Sequence, residues 1–524
     1  MKKYIAALLI ALSTTSCDDY LTVTPPTNVT DESISPEFAD QTLQTLYNGA
    51  FYALTNWFNS YGYPGYRGTL IAVDVLGNDM IGTSGIYGGV VTQYNFTTNN
   101  TLGSNVNMTW RKYYNCIANC NKAIAFYNGL NGPSKTSKAM YAQLLALRSM
   151  CYLDIVRLWQ LPYELAKDLP VCPNMNDITE ISEIKKGVKL STVAEIYEVL
   201  IDDLVKAKEI LTDEKYSKQS FAEMDAEVVS MFLARAYLTR GTTKTGGIKA
   251  DMDAAVMHAA SIRNSNKYTL MSTDEFVAGF NDAKVKEFMW GLEQTSSNND
   301  MSYAFEYLDN RPGDTRAYYK NAVPDPYFKK LFDYGNGYDT NDIRFSLFEF
   351  NNSKDPSSTV VAPRVKDILT YTKFKFRASE KSADLVYMRG AEAWLIEAEA
   401  KLRGGTGGTP QTAEQIIAEL RQARNATTSG YVCDLDFVLK ERRRELWGEG
   451  TTGVFDNTRT QSALVRKPLN KADFPEYPTI KGGHYTLTFP DKTGFVPNSP
   501  YYFFQIPEQE ITNNPAVNGP LPRQ

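Results

Sequence analysis

The sequence predicts a mainly α-helical protein whose helices are interrupted by long, loop-rich insertions. Hydrophobic residues recur every three or four positions over long stretches, most clearly from Val193 to Leu211, as they do on one buried helical face. Three other stretches, residues 58–105, 295–385 and 468–524, are instead rich in Gly, Pro, Asn and aromatic residues. Loops of this length in a compact chain are usually functional or disordered, and their aromatic content favours order.

The ends of several helices are marked by local signals. Ser191 or Thr192 can cap the helix that starts at Val193. A second helix is expected over about 224–240 and a third over about 387–403, each followed by glycine, which commonly ends helices. The same periodicity predicts further helices at 37–57, 106–127, 138–159, 252–264, 412–424 and 434–447.

A short motif of small residues occurs in two of these helices. The first copy is Ala234, Ala236, Leu238 and Gly241, and the second copy is Ala398, Ala400, Leu402 and Gly405. Small residues on one face let a partner helix approach closely, as in tetratricopeptide helix pairs. No regular period connects the copies, so we expect a tetratricopeptide-like helix-pair scaffold broken by long insertions. An antiparallel bundle with a fortuitous similarity is the alternative.

The N-terminus has the pattern of an export signal that ends in a lipid attachment site. Two lysines precede an apolar run from Ile5 to Leu12, which is too short to span a bilayer as a stable helix. Small polar residues and then Cys17 follow, which resembles the lipobox of bacterial lipoproteins. We expect a signal peptide over 1–16, acylation of Cys17, and a tether over 17–35. An ordinary secretory signal with an incidental cysteine is the alternative.

The remaining cysteines are expected to be mostly buried apolar thiols, because an odd number cannot be fully paired in an exported protein. They are Cys116, Cys120, Cys151, Cys172 and Cys433.

The residue patterns of common enzymes and nucleic-acid-binding proteins are missing. Only two histidines occur, His258 and His484, and neither has a metal-like neighbour three or four positions away. Gly448–Gly453 match the dinucleotide pattern GxGxxG but follow a predicted helix rather than a strand, so the match indicates no cofactor. Acidic residues (60) outnumber basic ones (55), which argues against nucleic acid. We expect no metal, no cofactor and no catalytic residue.

Clustered glutamates are expected to be structural rather than a catalytic pair for glycan cleavage. Mixed charges at helical spacing usually form salt bridges, although a catalytic pair assembled across the fold stays open. The two clusters are Glu441, Glu445 and Glu449, interleaved with arginines, and Glu392, Glu397 and Glu399 in an Ala-rich helix.

Seven sequence blocks, in order along the whole chain, resemble the SusD/RagB family of nutrient-binding outer-membrane lipoproteins. The blocks are SCDDYLTVTP (Ser16–Pro25), WRKYYNCIANCNKAI (Trp110–Ile124), ALRSMCYLDIVRLWQLPYE (Ala146–Glu164), KLSTVAEIYEVLIDDLVKAKEIL (Lys189–Leu211), MRGAEAWLIEAEAKLRGG (Met388–Gly405), LKERRRELWGEG (Leu439–Gly450) and YYFFQIPEQEITNNPAVNG (Tyr501–Gly519).

The resemblance implies a single SusD-like domain over 36–524 with a ligand surface built by inserted loops. In that division, the helical scaffold covers about 36–265 and 386–460, the ligand-binding insertion about 266–385, and a loop-rich C-terminal segment 461–524. The resemblance also implies a partner, a SusC-like TonB-dependent outer-membrane transporter, and a cell-surface location. The implied ligand is an oligosaccharide; a peptide is the alternative, and a glycan-cleaving enzyme is a third hypothesis.

Ligand-contacting residues are expected in the loops, where family members carry them before the Trp110-type helix and in the middle insertion. Aromatic faces suit the apolar faces of sugar rings, and polar side chains fix their orientation. The candidates are Asn78, Tyr87, Tyr303, Tyr307, Tyr318 and Tyr319. The six tryptophans fall mostly in helical or family-structural positions; a strong carbohydrate platform often uses tryptophan, so their scarcity in the loops weighs against the sugar hypothesis.

Overall fold

Long helices dominate the protein, as the hydrophobic periodicity predicts. The structure is a computed structural model that describes residues 35–56, 65–82, 91–176, 178, 181–295, 308–311, 322–335, 337–351, 366–377 and 382–522. The α-helices are α1 (Pro36–Thr55), α2 (Gly65–Val75), α3 (Ser104–Asn128), α4 (Lys135–Trp159), α5 (Tyr163–Ala166), α6 (Ile181–Lys185), α7 (Val193–Asp213), α8 (Ala226–Gly241), α9 (Lys249–Asn264), α10 (Thr273–Val277), α11 (Pro326–Lys329), α12 (Ala391–Leu402), α13 (Ala413–Gln422), α14 (Leu435–Leu446), α15 (Gly453–Arg459) and α16 (Glu508–Asn513).

The strands in the described residues are short and pair two by two, always antiparallel. The pairs are β1 (Met80–Gly82) with β5 (Ala322–Pro324), β2 (Pro170–Pro173) with β3 (Leu190–Thr192), β4 (Phe288–Leu292) with β8 (Leu385–Arg389), and β6 (Phe348–Asn351) with β7 (Ile368–Tyr371). Turns of 3-10 helix occur at Val91–Asn95, Lys330–Phe332, Phe345–Leu347, Lys471–Asp473 and Pro500–Tyr502.

Helix α7 illustrates how local sequence determines a boundary. The Thr192 hydroxyl accepts a hydrogen bond from the Glu195 backbone N–H, and the Glu195 carboxylate accepts one from the Thr192 N–H. This reciprocal pair satisfies backbone donors that a helix start leaves free. The predicted N-cap and the predicted helix are both confirmed.

The scaffold is a row of helices that pack mostly on their neighbours in sequence, from α3 through α4, α7, α8 and α9. The row continues from α9 to α12 and α13, across the residues inserted between them. Both glycines of the repeated motif lie against the start of α9. A Cβ atom on Gly241 would come within 2.4 Å of the Asp251 Cβ, and one on Gly405 within 2.8 Å of the Met252 carbonyl oxygen. The prediction of a helix-pair scaffold broken by a long insertion is confirmed.

Two elements differ from the prediction. Hydrophobic periodicity distinguishes neither a buried strand from a helix nor a fully buried helix from a loop. The third predicted helix starts only at Ala391, because the preceding residues form β8 against β4. A short, fully buried strand and a buried helix give the same apolar run. Helix α2 lies within the stretch 58–105, which was predicted as loop. All of its residues are buried, so it has no polar face that could reveal a helical period.

The clustered glutamates are structural, as predicted. Glu445 forms ion pairs with Arg344, Arg389 and Arg424 at 2.8–2.9 Å, and all four side chains are buried. Burial by itself raises the pKa of Glu445, but the three guanidinium groups outweigh burial and hold that pKa well below the usual 4.5. In α12, Glu392 pairs with Arg235, Glu397 with Arg263 and Glu399 with Arg459.

The cysteines behave largely as expected. Cys116, Cys120, Cys151 and Cys172 are buried free thiols, and Cys433 is half-buried. Cys17 lies outside the described residues. Within the described residues, no helix combines the length and the hydropathy that a membrane crossing requires.

Candidate ligand-binding site

The β1–β5 ladder joins two loops that were predicted to carry ligand-binding tyrosines. Gly82, the last residue of β1, is the ladder partner of Ala322, the first residue of β5. Tyr87 follows Gly82 in the chain, and Tyr318 and Tyr319 precede Ala322. The residues at which these two loops leave and rejoin the described chain therefore lie side by side.

A third segment is attached at the same place. The Asn310 Nδ2 donates a hydrogen bond to the Ala322 carbonyl oxygen at 2.9 Å, and both residues are buried. Tyr303 and Tyr307 precede Asn310 by only a few residues. We call this meeting point of Gly82, Ala322 and Asn310 the loop junction. Tyr87, Tyr303, Tyr307, Tyr318 and Tyr319 themselves lie outside the described residues.

Asn78 precedes β1, and its side chain is engaged within the protein. Its Oδ1 accepts a hydrogen bond from the Val465 backbone N–H at 2.6 Å, and its Nδ2 donates to the Asn457 Oδ1 at 3.2 Å. Asn78 thus fixes the C-terminal segment against β1. Its contact with a ligand stays a prediction.

Tyr485 is an exposed aromatic residue at the loop junction that sequence reasoning missed. It is 55% exposed, yet its hydroxyl donates a hydrogen bond to the Gly82 carbonyl oxygen at 2.6 Å. Its ring contacts that of Tyr94, with centroids 4.8 Å apart and planes inclined by 46°. A rigid aromatic side chain presented to solvent is typical of binding surfaces. The signal in the sequence is weak, because Tyr485 is one aromatic among many in a Pro- and Gly-rich tail.

The residue before it, His484, is buried and holds this tail in place. The Asn78 carbonyl oxygen can only accept, so His484 Nε2 carries the proton and donates to it at 2.8 Å. The His484 Nδ1 accepts from the Tyr94 hydroxyl at 2.7 Å. Burial, and then the charge of Arg466, lower the pKa of His484 to about 3. His484 is therefore a neutral structural connector.

Tryptophan contributes little to the exposed surface of the described residues. Its described side chains are all at most 8% exposed, as their predicted structural positions imply: Trp110, Trp159, Trp290, Trp394 and Trp447. Trp57 lies outside the described residues.

A concave feature opens beyond the start of β1. It has a volume of about 720 Å³ and is bounded by Asp79, Asp325, Tyr334, Tyr431, Arg443 and Lys467, with Asn78 in its wall. We call it the charged cleft. Asp79 and Gly82 are three residues apart along an extended strand, so the cleft begins about 10 Å from the loop junction.

Comparison with known proteins identifies the family. The description "SusD family" matches residues 247–519, more than half of the chain, and the description "Starch-binding associating with outer membrane" matches residues 50–238. The chain belongs to the SusD family. The resemblance inferred from the seven sequence blocks is thereby confirmed.

Relatives and solved structures agree with SusD-family membership. SusD-like protein P2 of Formosa agariphila is 25% identical over 468 residues, which cover 86% of this chain and 83% of that protein. A SusD-like carbohydrate binding protein from Bacteroides vulgatus is 28% identical with a TM-score of 0.79, over 91% of this chain and 97% of that one. Surface glycan-binding protein A from Bacteroides fluxus shares the fold, with a TM-score of 0.67 at 16% identity over 92% of this chain and 99% of that one. The mainly α, SusD-like fold class is confirmed.

Proposed function

We propose that this protein captures oligosaccharides at the cell surface and delivers them to a SusC-like TonB-dependent outer-membrane transporter. One observation carries the proposal: Gly82, Ala322 and Asn310, which are neighbours in sequence of the tyrosine-rich loops, meet at the loop junction beside the exposed ring of Tyr485. Stacking of sugar rings on tyrosine, with hydrogen bonds from nearby polar groups, is the chemistry that such a surface supports. The family description that mentions starch and the carbohydrate-binding relative support the same ligand class.

The buried ion pairs of the clustered glutamates support a protein that captures glycans without cleaving them. A glycosidase needs one carboxyl group as a proton donor and a second as a base or nucleophile. The glutamates of α12 and α14 are held instead in buried ion pairs with arginine, as Glu399 is with Arg459 and Glu441 with Arg344. These side chains serve packing and charge neutralisation.

The proposed location is the outer membrane, with Cys17 as the lipid attachment site. A lipid-anchored binding protein stays at the surface while its loops meet the ligand. One acyl chain gives only marginal membrane binding, whereas several anchor a protein stably.

The test is retention of the purified protein in native gels that contain polysaccharides, with calorimetry and product analysis alongside. We expect Tyr485→Ala to weaken retention, because a stacked aromatic ring contributes about 1 kcal/mol or more, roughly fivefold in affinity. The matched control is Phe38→Ala, which removes a ring of equal exposure, 54%, from the start of α1.

Three results would contradict the proposal. The first is that Tyr485→Ala and a quadruple variant with Tyr303, Tyr307, Tyr318 and Tyr319 all changed to Ala are both retained as strongly as the wild type. The second is release of shortened glycan products. The third is binding of a peptide pool without binding of any glycan.

A further inference from the structure

An apolar groove lies between α3, the segment that follows β2, and α16. Its volume of about 330 Å³ is within the roughly 300–1,000 Å³ typical of binding pockets, and none of its lining residues belongs to the loop junction or the charged cleft. We call it the α3 groove. Its apolar lining is Tyr114, Pro173, Met175, Ile178, Ile184 and Val188. Ile184 is 43% exposed, so this apolar surface is uncovered within the described part of the chain.

Hydrogen bonds inside the protein hold the walls of the α3 groove together. The Asn121 Nδ2 of α3 donates to the Met175 carbonyl oxygen. At the end of α16, the Asn514 Nδ2 donates to the Val188 carbonyl oxygen at 2.9 Å, and the Asn514 Oδ1 accepts from the Val188 N–H at 3.1 Å. These amide groups are occupied within the walls, so the groove is preformed and offers an occupant mainly apolar contact.

The rim of the α3 groove is basic. Lys122 lines the groove, is exposed, and has no ion-pair partner among the described residues. The acidic residue of the lining, Glu510, is already engaged by the Trp110 Nε1 and the Asn514 Nδ2. Residues 184–189, which contribute two apolar side chains to the lining, also carry three exposed lysines and no acidic residue: Lys185, Lys186 and Lys189. The occupant that fits is therefore apolar with negative charge beside its apolar part.

We propose that the α3 groove binds the N-terminal tether of this same chain, through residues 18–23. These residues precede the described part of the chain and have the sequence DDYLTV. Asp18 and Asp19 supply two carboxylates for the basic rim, and Tyr20, Leu21 and Val23 supply apolar side chains for the lining. An exposed ion pair contributes little by itself, so the apolar contacts hold the tether and the charges select its orientation.

The tether joins the scaffold close to the α3 groove. Asp40 of α1 accepts a hydrogen bond from the Ser134 hydroxyl at the start of α4, which fixes the position of the start of α1. Tyr127 of α3 stacks on Tyr141 of α4. At 1.5 Å per residue along each helix, Ser134 therefore lies about 18 Å along the helix axes from Lys122. One helix spacing of about 10 Å to the side makes the span about 20 Å.

The length of the tether matches this span. The chain from Val23 to Ser35 reaches about 40 Å when it is fully extended and averages about 20 Å from end to end as a flexible chain. A linker whose average length matches the span gives an effective concentration in the millimolar range. A contact too weak to detect between separate molecules is therefore occupied within one chain.

Docking of the tether gives the lipid attachment site a defined place. Cys17 directly precedes Asp18, so its acyl chains would lie beside α3 and α16. Without docking, the same residue could lie up to about 60 Å from the start of α1. The inference does not depend on the ligand that the loops capture, because the α3 groove shares no residue with the loop junction.

The experiment is photo-cross-linking in the full chain, purified in detergent, with Leu21 replaced by p-benzoylphenylalanine. We expect irradiation to join this position to peptides that contain Met175 or Ile184, as identified by mass spectrometry. The matched control carries the same probe at Asn28, farther along the tether, and is expected to give none of these products. Cross-links from position 21 that lie elsewhere on the scaffold, or no cross-links, would overturn the proposal.

A charge exchange tests the orientation of the tether. We expect Lys122→Glu to lower the yield of the cross-link about twofold to fivefold, as the loss of an exposed ion pair implies, and Asp19→Lys in the same chain to restore it. Lys244→Glu removes another exposed lysine and should leave the yield unchanged. Ile184→Asp, which places a charge in the apolar lining, should abolish the cross-link without changing polysaccharide retention.

Two further results would overturn the inference. Equal yields in the wild type, Lys122→Glu and Ile184→Asp would show that the α3 groove does not hold the tether. A cross-linked product with twice the mass of the chain would show that the groove takes the tether of a second copy.

Discussion

Three glycines in the sequence GEGTTG have a positive φ and allow two segments to pack closely. Gly448, Gly450 and Gly453 have φ values of 79°, 73° and 48°. A Cβ on Gly450 would lie 2.3 Å from the Leu70 Cβ in α2, and one on Gly453 would lie 2.3 Å from the Val73 carbonyl oxygen. The glycine pattern that resembles a dinucleotide motif is thus explained by the contact between α2 and the turn after α14.

We expect Gly450→Ala to lower the free energy of unfolding by more than about 2 kcal/mol, because it combines an unfavourable φ with a clash. Gly404→Ala, where φ is 98° and no atom lies within 4 Å of the added Cβ, isolates the backbone effect and should cost about 1 kcal/mol. Gly129→Ala, with a negative φ, should be close to neutral. Urea denaturation of the three variants measures the difference; equal stabilities of Gly450→Ala and Gly404→Ala would show that the close approach to Leu70 is unimportant.

At the scale of single residues, the candidate site was only partly predictable. Asn78 was selected from the loop before the Trp110-type helix; it lies in the wall of the charged cleft, and its contact with a ligand stays a prediction. Tyr485 was missed because its position depends on a contact between distant segments. Tyr485 reaches Gly82 across some 400 positions of the chain, and no periodicity or spacing in a single sequence reports such a contact.

Helix α14 brings Glu441 and Glu445 into buried arginine clusters. Arg344, Arg421 and Arg444 surround Glu441 at 2.7–2.9 Å. The pKa of Glu441 is held well below its usual value, because these guanidinium groups outweigh the effect of burial. Replacing one member of such a buried cluster leaves an uncompensated charge, which typically costs about 3–5 kcal/mol.

The cluster predicts a dependence of stability on pH. The pKa values of Glu441, Glu445 and Glu449 are lower in the folded protein than the usual 4.5, so the unfolded chain binds protons more tightly than the folded one. Their contribution is therefore present above pH 4.5 and is progressively lost as the pH falls below it. Urea denaturation should give similar midpoints at pH 7 and 5 and a lower midpoint at pH 3.5, and Glu445→Gln should be less stable at pH 7 with a weaker dependence on pH. A midpoint that is constant down to pH 3.5 would contradict this account.

Helical periodicity predicted most scaffold elements because α1, α3, α7 and α13 each have one buried and one solvated face. Helix α2 and strand β8 escaped prediction for the opposite reason, since every residue in each of them is buried. Which segments pair could not be foreseen either. The β1–β5 ladder that forms the loop junction joins residues about 240 positions apart.

For the whole molecule, the decisive prediction concerns its attachment to the membrane. We expect Cys17→Ala to move the protein from the membrane fraction to the soluble fraction, because the lipid is the proposed anchor. Cys433→Ala, at a half-buried thiol of the folded domain, is the control and should leave the distribution unchanged. The measurement is fractionation of cells that lack the transporter; membrane retention of Cys17→Ala in those cells would show that something else anchors the protein.

The pairing of β4 with β8 brings the two ends of the insertion together. Phe288–Leu292 and Leu385–Arg389 are antiparallel neighbours, so the chain leaves the scaffold and returns to it at one place. With the two ends paired, each doubling of the length of the insertion adds only about 0.6 kcal/mol of closure entropy. Residues 293–384 can therefore gain or lose length between their packed residues with little effect on the helices, whereas Arg344, which pairs with Glu441 and Glu445 of α14, must be kept. Divergence of the insertion is thus limited to the residues that do not pack against the scaffold.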